Sequence, residues 1–297
     1  MKIYDCFMYF DEEMLLDFRL NYLNEYVDKF VIVESGYTHS GNIKKLLFDI
    51  SKFEKFRNKI HYIVAKKEPS GIMEVHKEDS ENKKNTKYIL NAVKRENHQR
   101  NYISEGLLNA DPDDYVMISD IDEIPNLERN NLKDIKKKLI FFKQKVSYYK
   151  FNLQLESFEW FGTKACKKSN LISPQWLRNV KDKQYSFWRF DTFFSNKKYQ
   201  NIHFINDGGW HFSYIKNAQD IEKKLRSYLH HREYDNEPLG VTRIEQMMRD
   251  KIAIYDLKVD MRKSKFNKGQ ELKIVDIKLL PSYLQNNIEK YKEWIDI

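Results

Sequence analysis

Short apolar runs, each ending in polar residues, recur along the first third of the chain and predict buried strands. The runs at residues 3–10, 30–33 and 60–64 fit this pattern, and a polar, glycine-bearing segment follows the second of them. Residues 12–23 carry apolar side chains at roughly helical spacing, with acidic residues in the first half. Strand, helix and strand in this order predict an α/β domain with a parallel sheet, in which ligands bind beyond the carboxyl ends of the strands.

A fourth apolar run, residues 115–118, is followed by three carboxylates within four residues, Asp120, Asp122 and Glu123. An Asp-Pro-Asp-Asp segment precedes the run and a proline follows the acidic residues, so we predict a buried interior strand. On an extended segment Asp120 and Asp122 point the same way, because side chains alternate with a period of two residues. Converging carboxylates repel each other unless a cation or hydrogen-bond donors lie between them.

These acidic residues predict a site for a divalent cation and a diphosphate. Hard oxygen ligands favour Mg²⁺ or Mn²⁺, and Mg²⁺ typically binds one or two carboxylates together with substrate phosphates. The alternative interpretation is a solvated acidic turn, which is the commoner meaning of an isolated Asp-x-Asp triplet. The apolar strand before the triplet and the Ile-Pro pair after it favour the metal–diphosphate interpretation.

The remaining pattern divides the chain into a core, residues 1–230, and a charged helical appendage, residues 231–297, which we expect to pack on the core. The core contains no G-x-G-x-x-G motif, so dinucleotide binding is not indicated. We further predict an exposed loop over residues 66–87, helices over 88–108, 132–139, 218–231 and 284–294, and a strand over 146–155. The helix over 218–231 is amphipathic, and we expect its basic face to lie in solvent.

A second informative stretch begins with a strand at residue 201 and runs into Gly208, Gly209, Trp210 and His211. Two adjacent glycines permit a close approach of the backbone to a ligand. An imidazole at this position can bind a metal or act as a general base. The alternative is a hydrogen-bonded core histidine, which is the commoner role of a histidine in a strand.

Composition narrows the class of protein. The chain has 297 residues, of which 41% are hydrophobic and 14% aromatic, as expected of a packed globular protein rather than a disordered one. No apolar stretch approaches the roughly 20 residues needed to span a bilayer, and the first residues are expected to form a strand rather than a signal peptide. The two cysteines, Cys6 and Cys166, are too few for a disulfide framework and fit a reducing compartment. We therefore expect a cytoplasmic protein.

The formal net charge of +8 favours anionic partners such as nucleotide-sugars or an anionic membrane surface. We expect no nucleic-acid partner, because the chain has no zinc-finger motif, no RNP-type motif and no uninterrupted basic arm. Lysine-rich contact with a membrane surface is compatible with this charge, but a solvated, lysine-rich surface is the better explanation of the excess.

Four segments together resemble glycosyltransferase family 17. They are Asp5-Cys6-Phe7, residues 28–35, residues 114–125 and Gly209-Trp210-His211, which follow one another in this order. The resemblance covers roughly residues 1–230, and its most specific part is the acidic strand. It implies a GT-A fold, that is, a Rossmann-like mixed sheet flanked by helices. It also implies a UDP-sugar donor (UDP-GlcNAc in the known activity), Mn²⁺ or Mg²⁺, and inversion at the anomeric carbon.

Unlike the animal members of the family, the chain has only two cysteines, and we expect no membrane anchor before its first strand. We therefore expect a microbial or viral relative. Its acceptor would be a surface glycan, a lipid-linked oligosaccharide or a capsule, and its donor sugar need not be GlcNAc.

The resemblance also suggests roles for residues of the acidic strand. Asp122 is the expected metal ligand, Asp120 contacts the ribose or the metal, and Glu123 supports the site or orients the donor sugar. His211 would complete the metal site opposite Asp122, and its alternative role is packing against Trp210. An inverting transfer needs a base for the acceptor hydroxyl, and the sequence leaves four carboxylates open for this role: Glu156, Glu159, Asp191 and Asp207.

Four further residues are candidates for contacts with the nucleotide-sugar. Glu34 and Thr38 lie beyond the second predicted strand, where a nucleotide would bind. Arg100 and Arg178 are candidates for diphosphate or acceptor contacts, and pairing with a surface acid is the alternative for each.

Two other function classes are compatible with the sequence. A metal-dependent phosphohydrolase or nucleotidyltransferase also clusters aspartates at strand ends and needs no acceptor glycan. A catalytically inactive glycan-binding module would use the aromatic cluster at residues 158–161 as a sugar platform, and its acidic residues would be structural.

Overall fold

The computed structural model of the protein describes residues 1–186, 188–192, 194–228, 231–255 and 269–296. Its strands are β1 (Ile3–Tyr9), β2 (Lys29–Ser35), β3 (Ile60–Ala65), β4 (Tyr115–Asp120), β5 (Glu123–Pro125), β6 (Leu139–Tyr148), β7 (Leu153–Lys167), β8 (Ile202–Ile205), β9 (Gly209–Ser213) and β10 (Lys273–Ile274). Its α-helices are α1 (Glu13–Leu23), α2 (Glu81–Asn101), α3 (Ile103–Gly106), α4 (Pro174–Asn179), α5 (Ala218–Ser227), α6 (His231–Asn236), α7 (Val241–Arg249), α8 (Ser282–Asn286) and α9 (Ile288–Tyr291). Short 3₁₀ turns lie at Ile50–Phe56, Leu132–Asp134, Lys168–Asn170, Phe190–Thr192, Ile277–Leu279 and Lys292–Trp294.

The strands form one mixed sheet in the order β3-β2-β1-β4-β7-β6-β9-β5, with β8 and β10 paired to β6 and β7. Strands β3, β2, β1 and β4 are parallel, and helical connections join them, as in a Rossmann-like fold. Strand β7 runs antiparallel to β4 and begins the second half of the sheet. The predicted α/β class with a mixed sheet is therefore confirmed.

The sheet has to curl because β4 and β5 are neighbours in sequence but not in the sheet. Three strands lie between them in the strand order, which corresponds to roughly 19 Å across a flat sheet. The connection from Asp120 to Glu123 is only three Cα–Cα steps, or about 11 Å when fully extended. The sheet therefore folds back until β5 approaches β4, and the turn at Ile121 and Asp122 marks the point where its two halves meet.

Several predicted elements are confirmed. The strand predicted at the acidic motif is β4, which lies between β1 and β7 and is buried except at its last residue. The predicted N-terminal strands and first helix correspond to β1, α1, β2 and β3. In α2 the Ser80 hydroxyl accepts a hydrogen bond from the Lys83 backbone N–H and so caps the helix, which begins earlier than predicted. The exposed loop predicted over residues 66–87 accordingly ends at this cap.

Other predicted boundaries are wrong. The helix predicted at 132–139 is a single 3₁₀ turn, because Ile135 is extended and Leu139 begins β6. The strand predicted at 146–155 is the end of β6 and the start of β7, joined by a turn in which Tyr149 has φ 64°. The helix predicted at 218–231 ends at Ser227. The segment predicted as one helix at 284–294 contains α8, α9 and a 3₁₀ turn.

The C-terminal segment packs against the core at several places. Strand β10 pairs with β7, and the Tyr291 hydroxyl donates to Asp17 on α1 at 2.9 Å. The Trp210 indole N–H donates to the Leu279 carbonyl at 3.1 Å. Buried side chains of this segment share one apolar cluster with Phe18 of α1. Within the described ranges, no helix is both long enough and apolar enough to cross a membrane.

A buried arginine of α1 connects the start of the sheet to the acidic motif. Arg19 and Asp5 are fully buried, and the guanidinium donates to both carboxylate oxygens, at 2.7 and 2.6 Å. It also donates to the Ser119 hydroxyl at 3.0 Å. Its Nη1 lies 3.2 Å from the Asp120 carbonyl oxygen, 3.1 Å from that of Ile121 and 2.7 Å from that of Glu123. These carbonyls lie where the strand ladder is interrupted, and Arg19 is a buried donor to all three of them. The Thr163 hydroxyl also donates to the Glu123 carbonyl, at 3.3 Å.

We predict that Arg19→Met lowers the free energy of unfolding by about 3–5 kcal/mol, because Asp5 is left buried without a counter-charge. Urea denaturation followed by circular dichroism measures this change. Arg57→Met is the matched control, since Arg57 pairs with Glu54 and both side chains are more than half exposed. We expect that variant to lose less than about 1 kcal/mol. Equal losses in the two variants would contradict the role assigned to Arg19.

Candidate active site

A cavity of about 430 Å³ lies at the carboxyl edge of the parallel strands. Residues at or just beyond the ends of β1, β2 and β4 form one wall, and side chains of β6, β7, β9 and α5 form the opposite wall. Of the residues predicted to form the site, five line this cavity: Thr38, Asp120, Asp122, Arg178 and His211. The curl of the sheet brings these residues together from distant parts of the sequence.

Asp120 is held between two arginines. Its Oδ1 accepts from Arg100 Nη2 at 3.0 Å, and its Oδ2 accepts from Arg178 Nη2 at 3.0 Å. Burial raises the pKa of Asp120, but the two guanidiniums outweigh it, so that the net pKa lies below the ordinary value. Asp120 is therefore an ionised acceptor in a fixed orientation, and each oxygen can accept one further hydrogen bond.

Asp122 lies in the turn between β4 and β5 and faces the side chains of His211 and Lys224. Its Oδ1 is 3.6 Å from His211 Nε2, and its Oδ2 is 3.6 Å from Lys224 Nζ. Burial alone would raise the pKa of Asp122. Lys224 and His211 lower it by more than burial raises it, so the net pKa lies well below the ordinary range. Burial lowers the pKa of His211, and the negative charge of Asp122 more than reverses this effect.

Asp122 and His211 are close enough to hold one divalent cation after a small movement. Ligands about 2.1 Å from the same ion lie about 3.0 Å apart at the right angle of an octahedral site, and Asp122 Oδ1 lies 3.6 Å from His211 Nε2. Across the described ranges, no group of three or more His, Cys, Asp or Glu side chains is placed to hold a metal ion. The residues therefore fit a cation that takes two ligands from the protein and the others from substrate phosphate and water.

His211 reaches this position because β9 lies directly beside β5. Gly209 has φ 119°, and a Cβ atom there would lie 2.1 Å from the Ile124 carbonyl oxygen. A Cβ atom at Gly208 would lie 2.5 Å from the backbone nitrogen of Lys143. The double glycine thus permits a close approach to neighbouring strands, whereas the sequence suggested an approach to a ligand. The pairing sets His211 opposite Glu123 in the ladder.

Glu123 is buried beside the cavity and orients two residues that line it. Its carboxylate accepts from the Trp160 indole N–H at 2.7 Å and from Arg178 Nη1 and Nη2 at 2.7 and 2.9 Å. It also accepts from the Asp120 backbone N–H at 2.8 Å. A Cβ atom at Gly162 would lie 2.9 Å from the Glu123 carboxyl carbon, so the packing there leaves no room for a larger residue. The geometry gives Glu123 a positioning role.

The remaining predicted contact residues lie close to the cavity. The buried Glu34 carboxylate pairs with Lys44 and accepts from the Tyr62 hydroxyl at 2.8 Å, so it organises the loop after β2 without lining the cavity. Thr38 lines the cavity, and its Oγ1 accepts from the Asn42 backbone N–H at 2.9 Å. Arg100 does not line the cavity and acts on it through Asp120.

The four carboxylates considered as the catalytic base do not line the cavity. Each pairs with a lysine or arginine instead: Glu156 with Lys273, Glu159 with Lys143, Asp191 with Arg189 and Lys198, and Asp207 with Arg129. Among the residues that the structure describes, the carboxylates that line the cavity are Glu12, Glu96, Asp120 and Asp122.

Sequence reasoning missed four charged residues that line the cavity in the described part of the chain: Glu12, Lys44, Glu96 and Lys224. The basic face of the helix containing Lys224 was expected to lie in solvent. This expectation holds for Lys223 and Arg226, whose side chains are 58% and 48% exposed, but it is wrong for Lys224, which is 19% exposed. The sequence pattern could not separate these residues, because all three belong to one amphipathic helix.

Aromatic side chains form much of the remaining cavity wall. Trp160 lies with its ring centroid 5.6 Å from that of His211. Tyr214 has φ 53°, and its hydroxyl lies 3.1 Å from that of Tyr255. Tyr148 stacks on Tyr214 with the ring centroids 6.1 Å apart. A wall of this kind provides faces for stacking a sugar or a base and hydroxyls for hydrogen bonds.

Comparison with known proteins identifies one family. The family model described as Glycosyltransferase family 17 matches residues 1–295. No curated protein matches the chain. The family match covers the strand that carries Asp120 and Asp122, the strand that carries His211, and nearly all of the C-terminal segment.

We predict that Glu123→Gln lowers the free energy of unfolding by about 3 kcal/mol, because Arg178 is left buried with less counter-charge. Glu159→Gln is the matched control, since Glu159 is 43% exposed and pairs with Lys143 at the surface. We expect that control to change stability by less than about 1 kcal/mol. Urea denaturation of both variants measures the difference. A Glu123→Gln variant as stable as the wild type would contradict the positioning role.

Proposed function

Because this chain belongs to glycosyltransferase family 17, a match that indicates a transferase of the N-acetylglucosaminyltransferase type, we propose that it is a metal-dependent, inverting enzyme of the GT-A type. Its donor would be a UDP-sugar, with UDP-GlcNAc the first candidate. Its acceptor would be a glycan or a lipid-linked oligosaccharide. The observation that carries the proposal is the pair of Asp122 and His211 at 3.6 Å in a cavity at the carboxyl edge of the parallel strands.

Four carboxylates and three lysine or arginine side chains of the described residues line the cavity, so a diphosphate would bind there together with a divalent cation. Asp122 and His211 would hold Mn²⁺ or Mg²⁺, which when bound neutralises the departing diphosphate. Arg178 adds positive charge to the same wall, although Glu123 and Asp120 already balance it. Asp120 keeps acceptor capacity on both oxygens and is suited to bind a ribose hydroxyl.

The aromatic wall supports a sugar as the transferred group. Glu123 fixes the Trp160 ring in one orientation through the 2.7 Å bond to its indole N–H. A fixed aromatic face stacks against the apolar face of a pyranose ring at little cost in conformational entropy. Both the metal-ligand pair and this wall belong to one cavity, so the donor sugar would lie beside its diphosphate.

We predict that the purified protein slowly hydrolyses UDP-GlcNAc to UDP in the presence of Mn²⁺ and that Asp122→Asn reduces the rate more than tenfold, equivalent to about 1.4 kcal/mol. The carboxamide keeps the shape of the side chain and loses the charge. Asp207→Asn is the matched control, because Asp207 is 55% exposed and pairs with Arg129 on the surface. We expect this control to retain the wild-type rate.

A panel of UDP-sugars in the same assay separates the function classes. Release of UDP supports the transferase, and release of inorganic phosphate would instead indicate a phosphohydrolase. Silence with every donor would favour a glycan-binding module. Retention of more than about a tenth of the rate in Asp122→Asn would contradict the ligand role of Asp122.

We predict that His211→Ala weakens Mn²⁺ binding in the presence of UDP by about tenfold and hardly changes the melting temperature of the metal-free protein. A ligand contributes only when the metal is bound, whereas a core histidine contributes in either state. Manganese titration followed by electron paramagnetic resonance measures the affinity. A lower melting temperature with unchanged Mn²⁺ affinity would show a structural role.

A further inference from the structure

We propose that Lys224 contributes a second positive charge to the diphosphate site, in addition to the divalent metal ion. Its ammonium balances Asp122 before the donor binds and contacts the donor diphosphate afterwards. This inference rests on the proposed function, because it requires a nucleoside diphosphate in the cavity. It adds a donor-binding residue that lies on α5, far in sequence from the acidic motif.

The position of Lys224 is the first support for this role. Its Nζ lies 3.2 Å from Glu12 Oε1 and 3.6 Å from Asp122 Oδ2. The same atom lies 5.5 Å from the centroid of the Tyr214 ring. The ammonium is therefore inside the cavity, between two carboxylates that come from the ends of β1 and β4.

Lys224 is also the cavity cation with the most freedom to change partners. Lys44 and Arg178 are the other lysine or arginine side chains among the described residues that line the cavity. Arg178 makes hydrogen bonds of 2.7, 2.9 and 3.0 Å to Glu123 and Asp120, and Lys44 forms a short ion pair with Glu34. The two contacts of Lys224 are longer than the roughly 2.7–2.9 Å of a strong charge-assisted hydrogen bond.

Glu12 is placed to keep Lys224 in the cavity. Its Oε2 accepts from the backbone N–H groups of Phe10 and Asp11, at 3.2 and 3.1 Å, which fixes the carboxylate. Its Oε1 faces Lys224. Lys224 therefore has a partner even when Asp122 is engaged elsewhere.

Electrostatics then gives a distinctive prediction. A divalent cation held by Asp122 would lie close to the ammonium, because Lys224 Nζ is 3.6 Å from Asp122 Oδ2. Like charges at such distances repel each other, more strongly in a protein than in water. Without a nucleotide, Lys224 and the cation therefore compete for Asp122. A diphosphate accommodates both cations, because it offers several negatively charged oxygens. Removing the ammonium should thus strengthen metal binding and weaken diphosphate binding.

The test compares Lys224→Gln with Lys223→Gln in the purified full-length protein by isothermal titration calorimetry. Lys223 is the matched control, because it is the adjacent residue of the same helix and its side chain is 58% exposed. We expect Lys224→Gln to weaken UDP binding about tenfold, both in EDTA and with Mn²⁺, and to leave binding of uncharged uridine within about twofold. Binding of Mn²⁺ alone should tighten. Lys223→Gln should leave all these affinities within about twofold.

Lys224→Arg keeps the charge and should retain UDP affinity within about threefold, which covers the case in which Lys224→Gln fails to fold. Unchanged UDP affinity in Lys224→Gln, or equal weakening of UDP and uridine binding, would overturn the role proposed for Lys224. Neither result would affect the proposed function. A wild-type protein that binds no UDP would refute the donor assignment in the proposed function, and this inference with it.

Discussion

The ion pair between Arg19 and Asp5 is the interaction on which the rest of the site depends. A turn has to interrupt the ladder after β4 if the chain is to cross to β5, and this interruption leaves buried carbonyl oxygens at Asp120, Ile121 and Glu123. One guanidinium lies within hydrogen-bond distance of all three, and Asp5 neutralises its charge. The Thr163 hydroxyl is a second donor to the Glu123 carbonyl. The first strand and the first helix therefore determine the shape of a turn that lies about a hundred residues later.

The curl of the sheet converts this turn into a cavity. Strands β5 and β9 lie beside each other at the end of the strand order. Because the turn after β4 is short, both strands lie close to the end of β4. His211 comes from β9, Trp160 from β7 and Asp122 from the turn, and they meet the ends of the parallel strands. Glu123 then fixes Trp160 and Arg178, and Arg178 in turn fixes Asp120. Within the short segment from Asp120 to Glu123, Glu123 therefore positions other side chains, whereas Asp120 and Asp122 line the cavity.

The sequence predicts those features that depend on local pattern. Apolar runs located β1 to β4, and the carboxylates after β4 located one wall of the cavity. The pattern gave no strand order, so it could not show that Arg19 reaches the acidic turn or that Lys224 faces Asp122 rather than solvent. The β6–β7 hairpin was also missed, because Tyr149 turns the chain with φ 64° in a stretch without glycine or proline. The sequence did contain a sign that Arg19 is buried, because it is the one lysine or arginine in a helix rich in apolar residues.

We propose that Asp122 and His211 bind a divalent cation together with the diphosphate of the donor. Electron-nuclear double resonance of Mn²⁺ bound to the protein in the presence of UDP is the most direct test of this proposal. We predict a hyperfine coupling to phosphorus and a second coupling to one imidazole nitrogen, with the nitrogen coupling lost in His211→Ala. Protein-bound Mn²⁺ that shows no phosphorus coupling while UDP is bound would contradict it.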